Sequence, residues 1–175
     1  MSHAGARKTG GFTLLELTVV IALMGILAIT AIPSLKTVSS ARAASLTEYV
    51  ERRLIEARAR AMAQGQPVGL WLDPARRECR MLRIEKPGDD PTPVLTPLGE
   101  AEPVVVLSDV YPGVMFTVQG GTGTTGPQVI WFAFDGTPHS RTESGAALGA
   151  WTQDGVVDVT GSGTVTIRRQ SGAVR

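Results

Sequence analysis

The chain has 175 residues, with 17 Lys and Arg against 16 Asp and Glu, a formal charge of +1, and 43% apolar but only 19% charged residues. That is enough for one domain of ordinary size plus a tail or anchor; it is too apolar for a disordered chain and too neutral to bind nucleic acid through a basic surface. One cysteine, Cys79, and two distant histidines, His3 and His139, exclude an internal disulfide framework and a Cys- or His-rich zinc site.

Composition is most uneven at the start. Phe12 to Ile32 is almost wholly apolar, and Arg7 and Lys8 precede it. Such a run is close to the roughly 20 residues a helix needs to cross a bilayer. The basic flank keeps the N-terminus cytoplasmic and places everything after Pro33 on the far side of the inner membrane. A cleaved secretory signal fits less well, because Ile32, Pro33 and Lys36 stand where small residues should follow the apolar core, and Ala41-Arg42-Ala43 lies well beyond it. Glu16 is the informative residue. An ionised carboxylate inside an apolar span is expensive and calls for a partner or a function, unless it snorkels to the headgroups from this shallow depth.

Gly10-Gly11-Phe12-Thr13-Leu14-Leu15-Glu16-Leu17 resembles the processing signal of type IV pilins and type II secretion pseudopilins. In that family a short basic leader ends in Gly, Phe follows, and Glu is the fifth residue after the cut. The resemblance implies that a prepilin peptidase cuts between Gly11 and Phe12 and that the new amino group of Phe12 is methylated. It implies that Glu16 pairs with the Phe12 ammonium of a neighbouring subunit in a filament, and that Pro33 bends the helix. Loss of residues 1–11 removes Arg7 and Lys8 and moves the formal charge from +1 to −1, which weakens field-based arguments about partners still further.

After Pro33, Leu46, Val50, Leu54, Ala57 and Ala61 recur at helical spacing, which predicts a helix with one buried stripe. Its other faces carry charges, with Glu48 to Arg52 and Glu56 to Arg60 at the favourable i, i+4 separation. Gly65 followed by Pro67 marks the stop. From there the helical period gives way to β-rich runs separated by Gly, Pro and Asp. Strands are expected at Val68 to Leu72, Glu78 to Ile84, Pro103 to Leu107, Val114 to Val118, Val129 to Phe134, Ala150 to Thr152, Val156 to Thr160 and Thr164 to Arg168. Asp154-Gly155 and Gly161-Ser162-Gly163 read as turns of a C-terminal meander. Pro87 to Glu102 and His139 to Gly149 read as exposed loops.

The order Gly65-Gln66-Pro67-Val68, Ile130-Trp131-Phe132-Ala133-Phe134-Asp135-Gly136, then Val165-Thr166-Ile167 and Gly172 is similar to the GspH/FimT group of minor pseudopilins and minor pilins. The expected fold is therefore α+β and pilin-like, a long N-terminal helix packed on two antiparallel sheets. Its segments are a leader over 1–11, a transmembrane or filament-core helix over 12–33, an amphipathic continuation over 34–65 and a periplasmic β-rich domain over 66–175. The implied function is that of a non-enzymatic minor pseudopilin of a type II secretion system. It would be anchored once in the bacterial inner membrane and then assembled near a pseudopilus tip. Its implied partners are other pseudopilins, the prepilin peptidase, the inner-membrane secretion platform and secreted cargo. The rival readings are a FimT/FimU-type minor pilin of a type IV pilus, for which a DNA-uptake system would bring in nucleic acid, and a membrane-anchored periplasmic enzyme or binding protein.

Chemical motifs are weak, and none calls for a cofactor. Gly121-Thr122-Gly123-Thr124-Thr125-Gly126 matches a dinucleotide fingerprint, but Pro127 and a strand follow where a helix N-terminus is needed. Asp89-Asp90 supplies too few oxygens for calcium. His139, Ser140 and Glu143 lack a nucleophile elbow. Cys79 is read as a small buried apolar residue or an intermolecular thiol contact, and Trp71, Trp131 and Trp151 as core or sheet-face residues.

Overall fold

The computed structural model describes residues 13–86, 88–142 and 145–175, with the side chains of residues 29–35 outside the description. The chain divides into two compact units, residues 1–38 and 39–175.

Helix α1 runs Leu14–Gln64. In the first unit its described side chains are exposed, Leu14, Leu15, Ile21, Met24 and Leu27 among them. Among the described residues no helix is long and apolar enough to cross a membrane. The bend expected at Pro33 falls among the residues whose side chains are outside the description.

In the second unit the periodic stripe does what its spacing dictates. Ala43, Leu46, Val50, Leu54, Ala57 and Ala61 are buried at 2% exposure or less. Burying each large aliphatic side chain contributes about 1.5–3 kcal/mol. Beyond Gln64 the chain turns through Gly65 at φ +65°, a left-handed conformation that ends the helix.

Ten short strands follow among the described residues: β1 Val68–Asp73, β2 Glu78–Arg83, β3 Thr92–Pro93, β4 Val105–Val106, β5 Phe116–Gln119, β6 Gln128–Phe132, β7 Pro138–Arg141, β8 Ala147–Ala150, β9 Gly155–Val159 and β10 Gly163–Ile167. The larger sheet has the order β3-β2-β1-β6-β7-β8, with β4 also on β2; the smaller has the order β10-β9-β5. All pairings are antiparallel. The fold is α+β and pilin-like.

Strand alternation gives the larger sheet two faces. Leu70, Leu72, Cys79, Met81, Ile130 and Phe132 join the stripe of α1 in one core, which the smaller sheet completes with Val118, Val157, Val165 and Ile167. Leu82, Trp131 and the half-buried Trp71 and Val129 gather on the opposite face. At Gly69 an added Cβ would stand 2.7 Å from the Trp131 ring, so the bare backbone there lets the indole lie against β1.

Four expectations are corrected. The stretch His139 to Gly149 is no plain loop: β7 and β8 form an edge hairpin there, although it lacks the β-branched alternation that marks a strand. The Pro-rich segment from Pro87 to Glu102 contributes β3, and its Val94 is buried. The run Pro103 to Leu107 yields only the two residues of β4 before the short helix α2, Leu107–Val110. Finally, Asp154-Gly155 does not turn a hairpin. It carries the chain from β8 in the larger sheet to β9 in the smaller one, so only β9 and β10 form the expected tail hairpin.

Candidate functional site

The first turn of α1 contains a reciprocal cap. Leu17 N–H donates to the Thr13 carbonyl at 3.2 Å, which makes Thr13 the residue just before the helix. The Glu16 amide donates to Thr13 Oγ1 at 3.3 Å, while Thr13 N–H and Thr13 Oγ1 donate to Glu16 Oε2 at 3.0 and 3.2 Å. This is a capping box, which satisfies two amides a helix start otherwise leaves open and sets a carboxylate against the positive end of the helix dipole. Both bonds to the carboxylate fall on Oε2; among the described residues none reaches Oε1. The Thr13-x-x-Glu16 spacing is the sequence signal for this role, passed over above in favour of the carboxylate's cost in lipid. The expected cleavage pair Gly11 and Phe12 lies outside the described residues.

A second cluster lies along α1 in the globular unit. Arg53 bonds Glu56 at 2.7 Å and also Glu102, while Arg60 bonds Glu56 at 2.6 Å and Glu102 at 3.3 Å. Glu102, from the Pro-rich segment read as an exposed loop, is thus held against the helix with its side chain 17% exposed. Removing one member would strand a half-buried charge, so the cluster fastens that segment rather than offering a reactive group. Next to it Tyr49 Oη and Cys79 Sγ stand 3.7 Å apart. Burial pushes both the Tyr49 hydroxyl and the Cys79 thiol above their ordinary values. Cys79 is fully buried on the helix side of β2, as the reading of it as a small buried apolar residue expects, which leaves no room for the alternative of an intermolecular thiol contact.

The weak chemical motifs do not assemble into a site. His139 and Ser140 are neighbours on β7 and so point to opposite faces; the His139 ring pairs with Thr137 Oγ1 at 3.1 Å. Glu143 lies outside the described residues. Asp89 and Asp90 are exposed, and among the described residues no group of three His, Cys, Asp or Glu is placed to hold a metal. The glycine-rich segment after β5 closes on itself, with Gly120 N–H donating to the Thr124 carbonyl at 3.0 Å and Gly123 N–H to the Gly120 carbonyl at 2.9 Å.

The motif residues quoted for the minor-pseudopilin resemblance do come together. The Phe134-Asp135-Gly136 turn joins β6 to β7, and Asp135 Oδ1 accepts from Thr137 N at 2.9 Å and Thr137 Oγ1 at 2.7 Å. Those bonds lower the Asp135 carboxyl below its ordinary value. Arg58 Nε on α1 donates to the Gly136 carbonyl at 3.1 Å, and Gly172 of the C-terminal tail packs on the same carbonyl.

A capped apolar helix leading into a two-sheet domain, with its C-terminal tail folded back on the helix, defines a pilin-like fold. Residues 6–32 match the family described as the prokaryotic N-terminal methylation motif. Two solved structures of the minor pseudopilin EpsH from the type 2 secretion system of Vibrio cholerae are similar to this chain. They superpose with TM-scores of 0.54 and 0.55 at 14% identity, over 77% and 78% of this chain and 94% and 93% of theirs. No curated protein matches the chain in sequence.

Proposed function

We propose that the chain is a minor pseudopilin of a type II secretion system, a non-enzymatic building block of the pseudopilus. The observation that carries this reading is the junction of a methylation motif over residues 6–32 with a domain folded like that of EpsH. A prepilin peptidase removes residues 1–11 by cutting between Gly11 and Phe12, and Phe12 is methylated. Residues 12–33 hold the precursor in the inner membrane, with the β-rich domain in the periplasm, and later form the filament core. The exchange is inexpensive because lipid and neighbouring apolar helices both accept a continuous apolar surface whose backbone bonds are internally satisfied. Pro33 supplies a bend between the core helix and its continuation over 34–65, and the domain over 66–175 faces outward to other pseudopilins near the tip.

The capping box refines the expected role of Glu16. While the subunit is alone, Oε2 is held by Thr13 and the helix end, so the carboxylate survives in the membrane without a cation. Oε1 remains for the Phe12 ammonium of a neighbouring subunit, and the pair forms on assembly without breaking the cap.

Deletion of the gene tests the proposal. Secreted enzymes should accumulate in the periplasm and return to the medium when the wild-type gene is restored, but not when the restored copy has a blocked cut at Gly11. Normal export with loss of surface pili would overturn it in favour of a type IV minor pilin. An unchanged phenotype together with loss of an enzyme activity would overturn it in favour of an anchored enzyme.

A further inference from the structure

The face of the larger sheet turned away from α1 opens into a cavity of about 540 Å³, walled by the loop between β5 and β6 and by the β7–β8 hairpin. All three tryptophans of the chain line it: Trp71, Trp131 and Trp151. Across its floor runs one register row, Arg80 on β2, Trp71 on β1 and Val129 on β6, with Arg141 on β7 beyond them.

Arg53 and Arg60 share Glu56 and Glu102, and Arg83 has Glu85, whereas the two arginines of the cavity have no carboxylate among the described residues. Arg80 lies 4.9 Å over the Trp71 ring, and its guanidinium makes no hydrogen bond or ion pair with any described residue. Arg141 has one bond, from Nη1 to the Gly145 carbonyl at 2.9 Å. The Nε atoms of both are buried and unpartnered. Burial pulls the Arg141 guanidinium below its ordinary value. Among the described residues that line the cavity there is no Asp or Glu. A guanidinium that is neither fully hydrated nor paired is costly, and an incoming carboxylate in the same place relieves that cost while gaining charge-assisted bonds.

The occupant's class follows from this lining. Neighbouring strands lie about 4.8 Å apart, so Arg80 and Arg141 stand about three strand spacings from each other at their backbones. Arg80 leans inward over Trp71. An extended peptide advances about 6.6 Å every second residue and presents those side chains on one face. Two acidic residues four positions apart, about 13 Å on one face, therefore match the two arginines, and the apolar side chains between them match the tryptophans and the exposed Leu148 on β8. Nucleic acid instead needs a run of cations tracking many phosphates, which a near-neutral chain with two arginines in one cavity does not provide.

We propose that this cavity docks an extended segment of a partner polypeptide in which two carboxylates four residues apart on one face meet Arg80 and Arg141 while the apolar side chains between them lie against the tryptophans. The chemistry resides in the sheet face and does not require that the chain enter a filament, so peptide binding and protein export can fail independently.

Intrinsic tryptophan fluorescence reads the cavity directly. The full-length protein in detergent would be titrated with three probes: the capped heptapeptide Ala-Glu-Val-Leu-Val-Glu-Ala, its counterpart Ala-Gln-Val-Leu-Val-Gln-Ala and a ten-residue oligothymidylate. The acidic peptide should give a saturable change, at least tenfold tighter than the amide peptide and weakened by salt. Arg80→Gln and Arg141→Gln should each lower that affinity at least tenfold with the thermal midpoint unchanged; if one variant fails to fold, the other decides. Equal binding of both peptides, no saturable response to the acidic one, tighter binding of the oligothymidylate, or wild-type affinity in a folded arginine variant would overturn the proposal.

Discussion

Gly172→Ala is expected to destabilise the protein by about 2–5 kcal/mol, a large share of the stability a domain of this size possesses. Two costs combine. Gly172 sits at φ +65°, where an alanine pays about 1–2 kcal/mol against its own carbonyl geometry. An added Cβ would also overlap the Gly136 carbonyl oxygen, a backbone atom that cannot swing aside as a flexible side chain can. Overpacking of that kind costs about 1–3 kcal/mol more. The carbonyl is at the same time the acceptor for Arg58 Nε, so displacing it loosens the attachment of the β6–β7 turn to α1. Gly161→Ala is the control. Its φ is +87°, but nothing lies within 4 Å of the added Cβ, so only the conformational cost applies. Thermal melts of the full chain in detergent, followed by circular dichroism, should show the Gly172 variant melting well below the Gly161 variant. Equal losses would mean that the contact between the two turns carries no weight.

Substitutions at Glu16 should separate its two roles. Glutamine completes a capping box nearly as well as glutamate, because its carbonyl oxygen still accepts from the Thr13 amide, but it carries no charge. Alanine removes both the cap, worth about 0.5–2 kcal/mol, and the charge. If the carboxylate's essential work is to meet the Phe12 ammonium of a neighbouring subunit, Glu16→Gln and Glu16→Ala should both reach the membrane. Both should then fall at least tenfold in the assembled, shearable fraction, which quantitative immunoblotting of membrane and filament fractions measures. Assembly of Glu16→Gln at wild-type levels would show that the cap alone suffices and that no charge pair is made.

Much of the α1 packing was legible because one physical variable controlled it. The spacing of Leu46, Val50, Leu54, Ala57 and Ala61 permits only one face to be buried, and the structure buries it. The β9–β10 hairpin was legible for a related reason, since alternating β-branched residues on either side of Gly161-Ser162-Gly163 leave little choice of pairing. The β7–β8 hairpin was not. Its strands Pro-His-Ser-Arg and Ala-Leu-Gly-Ala carry no β-branched residue, and they pair because an adjacent strand in the larger sheet templates them. The role of Glu102 was equally hidden. Its neighbours Pro97 and Gly99 read as exposed loop, and only the fold brings Arg53 and Arg60 to it.

The Thr13 and Glu16 cap was visible in the letters and passed over, because an acid in an apolar run draws attention to its cost and away from the three-residue spacing that meets part of it. The cavity lay beyond sequence reading altogether. Arg80 and Arg141 stand 61 positions apart in the chain, and their lack of acidic partners among the described residues becomes apparent only in the folded structure.

The central claim is that one cut converts a membrane anchor into a filament subunit. Intact mass and N-terminal fragment spectra of the native protein, isolated from its own envelope, test it most directly. The account predicts a chain that begins at Phe12 with a methyl group on its amino nitrogen. A native chain that still carries residues 1–11, or that begins well beyond the apolar run, would contradict it.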